Sequence, residues 1–238
     1  MNEKMIELYN TLSIVSSVGI ESLIVEPTED DKTRFRGIDD KGSVLICDDF
    51  DDQIVESGLA IHSLRILLSR FNLFNDLKDV TFNIENRADG EWAKKIHMKS
   101  KDIVLPFTFS DKDGLSVPKK VPSVTKIGEI VFDKDEFSHF SSVIKSMRLS
   151  KSYDERVTFR NKAGTVYMEM NDGVSDTFSK KMVEIENKEG FTFKTRTDSI
   201  EKLIKQALNY SDKVSLELTD RGVAFIRVDS LNFMVSPE

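Results

Sequence analysis

The sequence predicts an α+β protein of two similar domains, each with two helices packed on antiparallel sheet. Four segments repeat apolar residues at helical spacing, and the segments between them alternate apolar and polar residues as strands do. Turn sequences containing glycine separate several of the alternating runs. The order helix, strands, helix, strands occurs once before about residue 108 and again after about residue 129. This repetition indicates an internal duplication.

The first two helices are expected over Glu3–Ser16 and Ile61–Phe74. Helical spacing places the apolar residues of each on one side. The first helix is predicted to turn Glu7, Asn10 and Ile14 outward. Strands are expected after each helix, so each helix can bury its apolar side against sheet.

Two more helices are expected in the second half. Asp133 is a good N-cap for the third, with Glu136 placed as in a capping box. The third helix is predicted to bury Phe137, Phe140, Ile144 and Met147. Thr197 or Asp198 is expected to cap the fourth helix. The fourth helix is predicted to bury Ile200, Leu203, Ile204, Ala207 and Leu208.

Two hairpins are predicted beside these helices. Tyr153–Arg160 and Thr165–Met170 alternate on either side of a turn that contains Gly164. Val214–Leu218 and Val223–Val228 flank a similar turn. Both pairs are expected to form antiparallel strands.

A connector is expected between the two domains. Residues 1–109 would form the N-terminal domain, residues 110–126 the connector and residues 127–238 the C-terminal domain. Pro118 and Pro122 oppose regular ladder pairing in the connector. Its apolar residues Leu115, Val117 and Val121 predict that it packs onto a domain.

Bulk properties limit the function. The formal net charge of −7 argues against coating nucleic acid by bulk attraction, so any DNA contact must be local. The single cysteine, Cys47, excludes an intramolecular disulfide and an all-cysteine metal site. No apolar run approaches the roughly 20 residues that span a bilayer, and the N-terminus lacks a signal-peptide pattern. We expect a soluble protein that is not exported and has no membrane partner.

The residues that usually carry catalysis are missing or scattered. His62, His97 and His139 stand singly, and no phosphate-binding glycine loop or nucleophile elbow is present. The cluster Asp48–Asp52 could bind a divalent cation in a metal-dependent nuclease. It lacks the spacing of a calcium loop, and a solvated acidic loop is the simpler interpretation. We therefore expect no catalytic residues, no cofactor and no metal.

The duplicated halves and the connector resemble the two-domain subunit of trimeric DNA polymerase sliding clamps. The resemblance is to the proliferating-cell-nuclear-antigen (PCNA) type and to tailed-phage clamps, and it covers the whole chain. Phe35–Leu45 resembles the family's strand, acidic turn and strand. Ser110–Lys126 resembles its connector, and Leu231–Pro237 its terminal strand and tail. The order of these segments carries the resemblance, since none is diagnostic alone.

The resemblance implies a homotrimeric ring that encircles duplex DNA without sequence preference and tethers a DNA polymerase. A clamp loader would be a further partner, and the setting would be the cytoplasm, as in a phage-infected bacterial host. In such rings the polar faces of the helices turn to DNA. The implied DNA-binding residues are Arg65, Arg70, Lys145, Arg148, Lys151, Lys202 and Lys205.

The resemblance also implies a pocket near the connector that takes a short hydrophobic motif of a partner. The implied residues are Ile38, Val44, Leu45, Leu115, Val117, Val235, Ser236 and Pro237. Core packing is the alternative role, most of all for Val44 and Leu45. Edge strands near Asp79–Asn86 and Lys181–Glu186 are candidates for the subunit interface.

Three alternative functions stay open at this point. A monomeric processivity factor of the same fold would bind DNA by charge, although the net charge of −7 opposes it. A metal-dependent nuclease would use Asp48–Asp52. A two-domain structural or assembly protein of a virus would have no reason to carry basic helix faces.

Overall fold

The chain folds as two compact units. A computed structural model describes residues 3–74, 80–101, 103–120, 122–173 and 177–237. The first unit comprises Met1–Asp40 and Leu45–Val121, and the second comprises Lys41–Val44 and Pro122–Glu238. Within the described ranges, no helix is long and apolar enough to cross a membrane.

The first unit combines two helices with antiparallel strands. Its helices are α1 (Glu3–Ser17) and α2 (Leu64–Asn72). Its strands are β1 (Ile20–Pro27), β2 (Thr33–Asp39), β3 (Val44–Phe50), β4 (Leu59–Ile61), β5 (Thr81–Asn86), β6 (Ala93–Ser100) and β7 (Ile103–Thr108). Within this unit the strands are ordered β4-β1-β2-β3 and β5-β6-β7. A short 3-10 helix at Lys112–Gly114 follows β7.

The second unit repeats this plan. Its helices are α3 (Lys134–Met147) and α4 (Thr197–Ala207). Its strands are β8 (Lys126–Asp133), β9 (Arg156–Lys162), β10 (Thr165–Asn171), β11 (Thr177–Glu184), β12 (Thr192–Arg196), β13 (Lys213–Thr219), β14 (Ala224–Val228) and β15 (Leu231–Val235). Within this unit they are ordered β15-β14-β13-β8 and β11-β10-β9-β12. The predicted α+β class, with two helices and antiparallel sheet in each half, is confirmed.

Local sequence signals fix several elements. The Asp133 carboxylate accepts hydrogen bonds from the backbone N–H groups of Asp135 and Glu136 at 3.0 and 2.8 Å, which confirms the predicted N-cap of α3. Strands β9 and β10 form the first predicted hairpin, joined by Ala163 and Gly164 with φ of 52° and 92°. Positive φ at both turn residues is the type I′ geometry, whose twist matches that of the flanking strands. Strands β13 and β14 form the second predicted hairpin.

The prediction for the second helix was wrong at its start. Residues Leu59–Ile61 form β4, which pairs with β1 and places Ile61 opposite Leu23. All three residues of β4 are buried. A short strand without a polar face looks like a helical turn in sequence, because periodicity cannot separate the two over so few residues.

Two burial predictions were also wrong. Ile14, expected on the outward face of α1, is only 4% exposed, because α1 packs on both α2 and β1 and so buries a wide stripe. Phe137 and Met147 are half-buried, whereas Phe140 and Ile144 are buried as predicted. Phe137 lies on the side of α3 that borders a surface groove.

The predicted cap of α4 was wrong as well. The helix begins at Thr197, with Arg196 in the N-cap position and no side-chain cap. The Thr197 hydroxyl donates to the Glu155 carbonyl at 2.7 Å, and Asp198 accepts a hydrogen bond from Lys41. Both side chains tie the start of α4 to other segments of the second unit.

Candidate nucleic-acid interface

A groove runs between α3 and α4 in the second unit, and its position follows from the apolar stripes of the two helices. Helix α4 buries Ile200, Leu203, Ile204 and Ala207. Helical geometry then turns Lys202 and Lys205 to the surface, where both are exposed. Helix α3 buries Phe140 and Ile144, which leaves Lys145 outward and exposed.

The groove brings together four of the seven predicted DNA-binding residues. These are Lys145, Arg148, Lys202 and Lys205. The rest of its lining is Phe137, Ser138, Ser141, Ser142, Asp198 and Glu201. Hydroxyl groups and cations on one open surface can bind anionic oxygens, and phosphate contacts of this kind carry no sequence information.

Three lysines of the groove lack ion-pair partners. Across the part of the chain that the structure describes, no carboxylate pairs with Lys145, Lys202 or Lys205 within 4.0 Å. Other lysines of the same unit are paired, such as Lys126 with Glu129 at 2.6 Å and Lys180 with Glu136 at 2.5 Å. The groove lysines can therefore neutralise an external anion without first breaking an ion pair within the protein.

Two carboxylates also border the groove, and both have partners. Glu201 accepts from the Ser141 hydroxyl at 2.9 Å and from the Arg148 guanidinium at 3.4 Å. Asp198 is bound by Lys41 and lies 3.4 Å from Arg196. Burial raises the pKa of Asp198, but the hydrogen bond from Lys41 and the nearby cations outweigh it and hold the pKa below its usual value. Asp198 is therefore charged at neutral pH.

Lys151 is the fifth predicted residue of this unit, and it lies outside the groove lining. It is exposed in the turn that follows α3. The same segment is anchored by Tyr153, whose hydroxyl lies 2.8 Å from the Thr197 hydroxyl. Burial raises the pKa of Tyr153. Lys151 therefore projects from an anchored segment.

The first unit presents a different helix surface. Arg65 is exposed but forms an ion pair with Glu21. Arg70 is half-buried; it donates to the Pro106 carbonyl and lies 5.3 Å from the centre of the Phe107 ring. The exposed side chains of α1 and α2 and the turn after them include Ile6, Ile66 and Leu73. Both predicted DNA-binding arginines of α2 are thus engaged by other groups of the first unit.

The connector packs on the first unit. Leu115 and Val117 pack against a buried cluster of Ile24, Ala60 and Trp92, as the apolar residues of the connector predicted. The third apolar residue, Val121, lies outside the described residues.

Polar contacts hold the start of the connector in place. The Ser110 N–H donates to the Ala60 carbonyl at 2.8 Å, and the Ser110 hydroxyl lies 2.8 Å from the His62 ring. The Lys112 ammonium lies 4.8 Å from the centre of the Trp92 ring. This half of the connector is therefore an ordered part of the surface.

The other predicted partner-binding residues differ in accessibility. Ile38 and Leu45 are opposite each other on β2 and β3, and both are half-buried. Val44 and Val235 are fully buried, so they are core residues that a partner cannot touch in this conformation.

The tail of the second unit is tied down at one residue. The Ser236 N–H donates to the Ser43 carbonyl at 2.9 Å, and the Ser236 carbonyl accepts from Thr195 at 3.1 Å. Pro237 is exposed.

Two carboxylates of the acidic cluster in the first unit, Asp49 and Asp51, form ion pairs. The Arg34 guanidinium donates to both oxygens of Asp49 at 2.6 and 2.8 Å, and Lys32 donates to Asp51 at 2.8 Å. The hydrogen bond from Arg34 holds the pKa of Asp49 below its usual value. Among the described residues, no group of three or more potential ligands could hold a metal ion. Asp49 and Asp51 thus have partners other than a metal.

Comparison with solved structures gives the fold a name. No family model and no curated protein matches the sequence. The fold is similar to the DNA polymerase sliding clamp of Caulobacter crescentus, with a TM-score of 0.66 at 12% identity over 97% of this chain and 64% of that one. It is also similar to A. fulgidus PCNA, solved with the C-terminal region of FEN-1, with a TM-score of 0.60 at 12% identity over 98% and 95%. Entamoeba histolytica PCNA matches with a TM-score of 0.61 at 14% identity over 97% and 94%. The chain has the DNA sliding-clamp fold.

The clamp fold extends over nearly the whole chain, but the chains compared differ in length. This chain spans 64% of the length of the Caulobacter clamp and 95% of the length of the A. fulgidus PCNA. Identities of 12 to 14% show a shared backbone arrangement without shared side chains at most positions. The roles of single residues in this clamp fold therefore rest on its own geometry.

Sequence reasoning missed the carboxylates of the groove. Glu201 contacts Arg148, which is 53 positions away along the chain, and Asp198 contacts Lys41, which is 157 positions away. Contacts between distant segments leave no local pattern. Only the position of Glu201 beside Lys202 could have drawn attention to it.

Proposed function

We propose that this protein is a DNA sliding clamp, a processivity factor that encircles duplex DNA as a homotrimer and tethers the replicative polymerase. It would catalyse no reaction itself and would act in the cytoplasm beside the replication machinery. The α3–α4 groove carries the proposal. It gathers three unpaired lysines in a chain of clamp fold whose formal net charge is −7.

This charge distribution suits a protein that must stay on DNA without stopping on it. A closed ring holds DNA by topology, so strong phosphate contacts are unnecessary. Weak contacts from Lys145, Lys202 and Lys205 attract the backbone without reading bases, and the duplex can then move through the ring. Acidic residues elsewhere on the chain would repel DNA from other surfaces.

Edge strands offer the means of ring closure. Strands β5 and β7 are the edges of one sheet of the first unit, and β11 is an edge strand of the second. Ile103 and Val104 of β7 are 43% and 59% exposed, which is unusual for large apolar residues on a strand edge. Pairing of such edges between neighbouring protomers would continue the sheets and build a ring from identical head-to-tail contacts.

A polymerase and a clamp loader are the expected partners. We propose that a short hydrophobic motif of a partner binds to the first unit, and that Ile38, Leu45 and the connector residues Leu115 and Val117 contribute to its surface. All four are half-buried and so retain accessible apolar surface. Ser236 and Pro237 stay candidates for partner binding on the second unit, whereas the buried Val44 and Val235 do not.

Two measurements test the proposed function. The mass in solution should be about three times the 27.1 kDa of one chain. A Lys202→Glu, Lys205→Glu variant should keep this mass and lose processive synthesis by the cognate polymerase, because two cations of the groove become repulsive. Exposed lysines of the same unit outside the groove give a matched control, Lys188→Glu with Lys213→Glu.

The results separate the parts of the proposal. A stable monomer would contradict the ring. Unchanged processivity in the groove variant, or an equal loss in the control, would contradict the assignment of the groove as the DNA surface.

A further inference from the structure

Glu201 is a carboxylate in a groove whose other exposed charges are mainly positive. It lies on α4 directly before Lys202 and borders the same groove as Lys145 and Lys205. Its side chain is 19% exposed, whereas that of Arg148 is 44% exposed. Glu201 is therefore recessed, and the guanidinium that it contacts can still be reached from solvent.

The contacts of Glu201 bridge the two helices. One oxygen accepts from the Ser141 hydroxyl of α3 at 2.9 Å, and the other lies 3.4 Å from the Arg148 guanidinium at the end of α3. At 3.4 Å the contact with Arg148 is longer than a strong charge-assisted hydrogen bond. Arg148 is therefore held loosely enough to exchange its partner.

The other acid of the groove does not play this part. Asp198 is bound by Lys41 and lies near Arg196, and neither of these cations lines the groove. The negative charge of Asp198 is therefore balanced by cations that lie outside the groove. Glu201 is the acid whose partner is itself a groove cation.

We infer that Glu201 competes with DNA phosphates for Arg148 and so keeps the affinity of the α3–α4 groove for duplex DNA low. This inference rests on the proposed function, in which the groove meets DNA. A phosphate that approaches Arg148 must displace the Glu201 carboxylate, so the contact gains little free energy. Because each phosphate contact gains little free energy, the ring can move easily from one phosphate to the next.

Salt dependence gives the competition a measurable signature. Each cation that neutralises a phosphate releases counterions and adds about 0.9 to the slope of log affinity against log salt. A cation already neutralised by Glu201 releases few counterions when it changes partner. Removing the carboxylate should turn Arg148 into a full phosphate contact.

The test replaces Glu201 with glutamine, which keeps the size of the side chain and its ability to accept from Ser141. Binding to a short fluorescein-labelled duplex is followed by anisotropy over a range of salt concentrations. Glu201→Gln should bind about two- to fivefold tighter, the range expected for loss of one exposed ion pair. The slope should steepen by about 0.9.

Two further variants make the result specific. Glu217→Gln removes the same charge from the second unit at a position outside the groove, where Lys126 keeps its contact with Glu129. It should leave the slope unchanged. In an Arg148→Gln background, Glu201→Gln should no longer change the slope, because the competed cation is absent.

A structural role for Glu201 predicts a different pattern. If it only joined α3 to α4, its loss would lower the unfolding temperature and leave the salt slope unaltered, which would overturn the inference. An effect of Glu217→Gln equal to that of Glu201→Gln would overturn it too. If Lys202→Glu with Lys205→Glu abolishes duplex binding while Glu201→Gln changes nothing, this inference fails and the proposed function stands. If neither variant affects binding, the groove is not the DNA surface and both fail.

Discussion

Substitution of Gly58 by alanine should disturb the platform on which the connector packs. A Cβ atom at this position would lie 2.6 Å from Cε3 and 2.7 Å from Cζ3 of Trp92. The backbone cannot withdraw easily, because the Gly58 N–H donates to the Glu91 carbonyl and the Gly58 carbonyl accepts from Ala93, both at 2.8 Å. The rigid indole must therefore move. Overpacking of this kind costs about 1–3 kcal/mol of unfolding free energy.

The single tryptophan of the chain makes the effect directly visible. Trp92 is 9% exposed and belongs to the buried cluster against which connector residues Leu115 and Val117 pack. Urea unfolding followed by its fluorescence should show the lower stability, and native emission should shift to the red as the indole loses its packing. Gly114→Ala is the matched control, since open space surrounds that position. It should be neutral or stabilise by about 0.4–1 kcal/mol.

If Gly58→Ala leaves both the stability and the emission of Trp92 unchanged, the indole does not lie against Gly58. The contact of Leu115 and Val117 with the same cluster would then lose its support. This result would contradict the packing of the connector on the first unit.

Two further predictions concern the partner surface and the response to acid. Ile38→Ser with Leu45→Ser should abolish binding of the polymerase tail peptide, measured by calorimetry, while the oligomer mass stays the same; retained binding would place the peptide elsewhere. Burial raises the pKa of Asp154, but hydrogen bonds from Lys194 and Arg156 outweigh burial and hold this pKa below its usual value. This group therefore stabilises the fold above the unfolded pKa of about 3.9, and the stabilisation is lost as pH falls through the lower folded pKa. Asp154→Asn should thus be less stable than the parent at neutral pH, with the difference shrinking below about pH 4 in urea titrations; a difference independent of pH would contradict the ion-pair assignment.

Elements with strong local signals could be predicted from sequence. The cap at Asp133 and the turn at Ala163 and Gly164 depend on residues within a few positions of each other, so the sequence pattern contains the whole interaction. The start of α2 could not be predicted, because Leu59–Ile61 becomes a strand only by pairing with β1. Ile14 was misplaced for a related reason, since its burial depends on what packs against α1. Errors therefore arise where tertiary contacts override local periodicity.

In the candidate site, too, residues that depend on local sequence could be predicted, and residues that depend on distant contacts could not. Lys202 and Lys205 could be predicted because the apolar stripe of α4 dictates which residues face outward. Arg70 could not be judged in this way, since its contacts with Pro106 and Phe107 come from a distant strand. An exposed position on a helix shows that a cation can reach solvent. It does not show whether another part of the chain already holds it.

The number of free cations bears on how this protein could remain on DNA. Lys145, Lys202 and Lys205 are the groove lysines without an ion-pair partner in the described ranges, and Arg148 is shared with Glu201. The attraction of a protein to DNA without sequence preference comes almost entirely from the phosphates that its cations neutralise. Three or four such contacts per chain, in a protein of net charge −7, supply little of this attraction. A monomeric factor that relied on this groove would therefore dissociate quickly. For a ring the same weakness is useful, because closure of the ring keeps the protein on DNA and weak contacts allow it to move.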